Sequence, residues 1–240
     1  TTIRRIIMLE NNINFSSPLK GFIPEPKPGV KFIPDPYKKM EKLFENKNPH
    51  LPSVKACIPF LDAMTSGYII PFPMDIQFHY DPKKNESKFL YPQQVPERFL
   101  KNHLGVNSHM SNQVPPEMKP TYRGIDEIFK FLNPWVITTP PGTSCLFMTP
   151  PNRSNAFELV AGVVDTDTYP LEIHFPFYWL RPQTENYLLK QGDPMVAVFP
   201  FKRQQWKMTA SYQKPEFETL LLTKIVDNYK RIFWQKKSYK

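Results

Sequence analysis

"AFELVAGVVDTDTYPLEIHFPFYWL", residues 156–180, decides the fold. Its flanks are aromatic and β-branched, and its middle, Asp165-Thr166-Asp167-Thr168 followed by Tyr169-Pro170, is turn-forming. That order reads as strand, acidic turn, strand, and predicts a β-hairpin over Gly162–Glu172 with Asp165 at its exposed end. Glu172 stands between Leu171 and Ile173, so on a strand it faces the opposite side from both. The acidic turn has two readings: Asp165 and Asp167 satisfy turn amides through Asx-type bonds, or they handle a polar ligand.

The same punctuation extends on both sides. "WVITTPPGTSCLFMTPPN" (135–152) reads as strand, Pro-Gly turn, strand, and "QGDPMVAVFPF" (191–201) as turn plus strand. Turn signals this close together favour a β-sandwich or barrel over alternating strands and helices. Upstream, "VKACIPFLDAMTSG" (54–67) has helical spacing, with Pro59 in the first turn and Gly67 at the end. "YIIPFPMDIQFHYD" (68–81) is strand material, with Ile76, Phe78 and Tyr80 alternating against Asp75, Gln77 and His79.

The domain organisation follows from these segments. Residues 1–53 contain a dense series of prolines and read as an extended arm. Residues 54–212 form the body, with an irregular insertion around 81–124 that holds one weak helix near "PERFLKNHL". Residues 213–240 read as an amphipathic helix, with Phe217, Leu221, Ile225 and Tyr229 on one face, ending in a basic tail.

Composition bounds the function. The 28 prolines against 8 glycines favour β and coil, and 40% hydrophobic residues make the chain globular rather than disordered. No apolar run approaches the ~20 residues of a membrane helix, and the opening "TTIRRIIMLENNINF" lacks a signal-peptide core. Cys57 and Cys145 have no metal-type spacing and read as free thiols of a reducing compartment. The net charge of +9 comes from scattered lysines, which by itself does not support a nucleic-acid partner.

The order "GTSCLFMTPPNRSN", "GVVDTDTYPLEI", "GDPMVAVFPF" resembles the second, third and fourth motifs of the dUTPase and dCTP-deaminase superfamily, over about 70 residues. The resemblance implies a β-clip body, a homotrimer, a bound nucleotide and magnesium. It casts Asp165 as the general base that orients water and Tyr169 as the platform under the sugar. Arg153 and Ser154 would be phosphate donors, and Asp167, Gly192 and Asp193 would complete the nucleotide site. Glu172 would correspond to a proton-transfer glutamate of the deaminases.

The chain departs from that pattern at several points. Ile69 stands where the first motif has an aspartate, and Ala197 where the fourth has a phosphate-binding glutamine. No Gly-rich, Phe-containing tail follows. The expectation is therefore a nucleotide-binding protein with weak or lost pyrophosphohydrolase activity. "NPWVITTPPGTSCLF" with "GVVDTD" is also similar to a group of phage and bacterial proteins, which adds to the resemblance without supplying a function. The alternative is a noncatalytic structural or assembly protein on the same fold, its proline-rich arm wrapping a neighbour, in a host cytoplasm or a virion. A third reading takes His79, Asp81 and His174 as the facial triad of a non-haem iron oxygenase, with Arg181 for the oxoacid.

Overall fold

The computed structural model describes residues 11–44, 48–84, 86–118, 127–181, 186–212, 221, 227–237 and 239. It is mainly β, with several antiparallel sheets and no closed barrel among the described residues. The chain divides into two compact units, Thr1–Lys27 with Tyr68–Arg203, and Pro28–Gly67 with Gln204–Lys240. No helix among the described residues is long and apolar enough to cross a membrane.

The larger unit is built on a sheet ordered β13–β11–β16–β5–β2. These strands are β2 (Lys27–Pro28), β5 (Tyr68–Pro71), β11 (Thr143–Met148), β13 (Gly162–Val164) and β16 (Pro194–Lys202). Its longest ladder runs from Thr143 opposite Lys202 to Met148 opposite Ala197. A second sheet is ordered β12–β14–β9–β8, from β8 (Val106–His109), β9 (Ile128–Phe131), β12 (Phe157–Leu159) and β14 (Phe175–Trp179). A third is β15–β6–β7, from β6 (Ile76–Asp81), β7 (Glu86–Leu90) and β15 (Tyr187–Leu189), while β1 (Asn14–Ser16) pairs with β10 (Val136–Thr138).

Period-2 patterning explains the core. Along β14, Phe175, Phe177 and Trp179 are buried while Pro176 and Tyr178 are half-buried, and along β6 the buried residues are Ile76, Phe78 and Tyr80. The inward rings meet: Phe131 stacks on Phe177 at 3.8 Å between centroids and Phe78 on Trp179 at 4.0 Å. Burying each such side chain stabilises the fold by about 1.5–3 kcal/mol.

The expected Gly162–Glu172 hairpin does not form. β13 pairs with β11, β14 joins the second sheet, and Glu172 makes a lone bridge to Val136. Ten residues separate Val164 from Phe175, enough to carry the chain from one sheet to the next. Asp165 nevertheless lies in an exposed turn, as expected. The insertion around 81–124 is also more regular than expected, because β7 and β8 lie within it and pair with β6 and β9.

In the smaller unit, a 3-10 turn at Gly29–Phe32 and helix α1 (Asp35–Lys39) precede β3 (Leu43–Phe44) and β4 (Asn48–Pro52). Helix α2 (Ile58–Thr65) starts with Pro59 in its first turn and stops before Gly67. A Cβ on Gly29 would stand 2.9 Å from the Thr65 carbonyl oxygen, so only glycine fits this approach. The proline-rich segment is thus part strand of the larger unit and part folded framework of the smaller one. The expected C-terminal helix lies largely outside the described residues; its described end, Tyr229–Phe233, is a short π-helical turn.

Candidate functional site

Three chain segments converge at one end of the β11–β16 ladder: the turn before β11, the acidic turn after β13, and Arg203 directly after β16. Gly142, at φ +76°, makes the sharp entry to β11, and its carbonyl accepts from the Arg203 backbone amide at 2.8 Å. That bond fixes where the Arg203 side chain starts. Its guanidinium then grips Asp167 with two parallel bonds, Nη1 to Oδ1 at 2.9 Å and Nη2 to Oδ2 at 2.5 Å. The Gly142 amide donates to the same Asp167 Oδ2 at 2.8 Å.

Asp167 is consequently a fully committed carboxylate. Its side chain is 5% exposed. The Arg203 guanidinium bonded to it holds its carboxyl down to about 2, with the Gly142 amide pulling the same way and burial opposing. Asp165 differs, with a side chain 61% exposed. Its Oδ1 accepts from Ser144 Oγ at 2.6 Å and stands 3.2 Å from Arg203 Nη1. Oδ2 of Asp165 has no partner among the described residues.

The turn is secured from beneath as well. The Thr168 and Tyr169 amides donate to the Asp165 carbonyl at 3.0 and 2.9 Å, so these two amides bind backbone, while the Asp167 amide adds to the pull on its own carboxylate. Buried Thr166 shares a 2.7 Å hydroxyl bond with Thr139 and donates to Cys145 Sγ at 3.4 Å. Burial pushes the Cys145 thiol up, so it stays protonated and unreactive. Tyr169 projects 40% exposed beside the acids.

The other residues expected at a nucleotide site lie elsewhere in this chain. Arg153 and Ser154 sit in the bend beyond Met148, braced by Asn155 Nδ2 donating to the Pro150 and Arg153 carbonyls at 3.2 and 3.3 Å. Burial lowers the Arg153 pKa. Gly192, at φ +86°, and Asp193 form the turn into β16 and exchange backbone bonds with Phe72 at 3.0 and 2.9 Å. The seven residues therefore divide into two groups at opposite ends of the β11–β16 pair. The length of β11 between them is about 17 Å at the usual strand rise.

The two departures from the motif pattern have a common location. Ile69 and Ala197 are cross-strand partners on β5 and β16, and both are buried. Neither side chain reaches solvent. Magnesium also fits poorly here, since both oxygens of Asp167 are taken by Arg203 and Gly142, and of the two carboxylates of this turn only Asp165 has an open oxygen among the described residues.

A second polar cluster brings Glu172 and His174, each expected in another role, together with His103, which went unread in the sequence. His103 Nδ1 lies 3.2 and 3.3 Å from the two oxygens of Glu172, and His174 Nδ1 accepts from the Asn133 amide at 3.3 Å. Burial first, then Lys130, pushes the His174 pKa down, against the pull of Glu172. His79 instead bonds Asn186, and Arg181 lies over the Tyr187 ring at 4.9 Å. No three His, Cys, Asp or Glu side chains among the described residues gather as a metal site, so the oxygenase triad is not assembled. Arg203, Ser144 and His103 carried no sequence signal beyond residue type.

Comparison with protein-family models, with curated proteins and with solved structures finds no match to this chain.

Proposed function

We propose that this chain is a noncatalytic assembly module on a dUTPase-like β-clip body, in which the acids of the third motif hold architecture together and do not process nucleotides. The observation that carries the reading is the Asp167–Arg203 clamp. The cation best placed to neutralise a phosphate is already neutralised by Asp167, and Asp165 shares that cation while accepting from Ser144. A triphosphate brought here would meet a local charge of the wrong sign and would have to break a bidentate pair to bind.

A second reading, nucleotide hydrolysis in a homotrimer, is favoured by one specific feature. Asp165 Oδ2 is open, and the Arg153–Ser154 bend of a neighbouring copy could supply what the same chain keeps at the far end of β11. The two readings separate in one experiment. A panel of deoxynucleoside triphosphates with magnesium, followed by pyrophosphate release and thermal shift, is expected to give neither. Turnover that Asp165→Asn lowers by ~10²–10⁴-fold would overturn the assembly reading, because that is the range of general-base assistance.

A further inference from the structure

Directly after Arg203 the chain reads Gln204-Gln205-Trp206-Lys207-Met208-Thr209-Ala210-Ser211-Tyr212. Apolar residues fall at 206, 208, 210 and 212 and polar ones at 205, 207, 209 and 211, the alternation of a half-buried strand. Yet none of these residues lies in a helix or strand, and all are exposed. Trp206 is 83% exposed, Met208 88% and Tyr212 94%. None of Gln204–Tyr212 makes a hydrogen bond, ion pair or ring contact among the described residues. This is a strand pattern with no sheet.

The same chain carries a sheet edge with no strand. β13 is the terminal strand of the main sheet and, among the described residues, pairs only with β11. Its residues, Gly162-Val163-Val164, include no lysine, proline or charge of the kind that blunts an open edge. Val163 is 59% exposed and opposes half-buried Leu146, which in turn opposes half-buried Phe199, so an apolar row runs inward from the edge.

We propose that Gln204–Tyr212 is an exchange arm that adds as a strand to the β13 edge of a second copy of this chain. A second copy is the occupant because each chain carries both this strand pattern and this uncharged edge, so copies that each give one arm and receive one leave neither exposed. Such head-to-tail giving closes as a ring when the rotation allows. The surface suffices: an aromatic side chain brings roughly 150–250 Å², and exchanged arms with their covered edges reach the ~1,200 Å² of a stable interface. The arm supplies main-chain bonds, and its alternate side chains supply register. This gives the assembly reading above its contact and rests on it only for the expectation that the chain self-associates.

Light scattering at micromolar concentration tests it. The wild-type chain is expected to be oligomeric, and the triple variant Trp206→Ser, Met208→Ser, Tyr212→Ser to be monomeric with unchanged circular dichroism, since none of these side chains packs in the fold. In a Cys57→Ser background, chains carrying Val163→Cys mixed with chains carrying Met208→Cys are expected to form an interchain disulfide on mild oxidation. A monomeric wild type, or a triple variant that keeps the wild-type size, overturns the arm. Oligomers that survive the triple variant leave the assembly reading standing, while nucleotide turnover defeats that reading without touching the arm.

Discussion

Asp167→Asn isolates the charge in the clamp, because asparagine keeps the shape and one acceptor. The folded carboxyl sits at about 2 against an ordinary 3.8, a gap of about 1.8 pH units. Each unit is a tenfold difference in the folding equilibrium, so the ceiling on what this one charge contributes is about 60-fold. Arg203 stands partly in solvent, and screening should bring the realised effect to about five- to tenfold.

The direction with pH is fixed by the sign of the shift. A carboxylate whose folded value lies below its unfolded one stabilises fully above the unfolded value and loses that contribution as pH falls through the folded one. Urea unfolding of wild type and Asp167→Asn, read by fluorescence of buried Trp135 and Trp179, should therefore show a gap that is constant from neutral pH to about 5 and closes between about 4 and 2. The wild-type gap should also shrink in high salt. A gap that persists unchanged down to about pH 2 would refute the argument, since about half of the folded Asp167 would by then be neutral.

Two other substitutions probe the body. Phe177→Ala removes the ring stacked on Phe131 and tilted against Phe129, and should lower unfolding stability by about 3–5 kcal/mol in urea titration, a large part of the usual ~5–15. His174 has a folded pKa below its ordinary value, so wild type should lose stability as pH falls from about 7 through the histidine range, and His174→Gln should flatten that loss.

Local structure was legible where short-range chemistry decides it. Pro59 and Gly67 bracket α2, the Ile76–Phe78–Tyr80 alternation gives β6, and Gly192 opens β16. Pairing partners were not legible, because alternation states which face of a strand is buried and is silent about its neighbour. That is why β13 and β14 looked like one hairpin and belong to two sheets. β7 and β8 were read as irregular because "ESKFL" and "VNSH" are polar, which edge strands of their sheets tolerate. Arg203 was missed for a related reason: a cation after a strand looks like solvated surface until the ladder register sets it beside Asp167.

The residues that match the dUTPase motifs include ones the larger unit uses for its own construction: Gly192 at positive φ with Asp193 before β16, and Asp165 and Asp167 tied to Arg203. The missing ones, an aspartate at 69 and a glutamine at 197, fall on a buried cross-strand pair whose apolar side chains belong to the core. A carboxylate or amide there would be desolvated without a partner, at a cost of about 1–3 kcal/mol or more. Restoring the ligand-facing pattern at these two positions would thus work against the packing of β5 on β16. Ile69→Asp and Ala197→Gln should destabilise the fold rather than create activity, because each places an unpartnered polar group between β5 and β16, and urea titration of the two variants measures that loss.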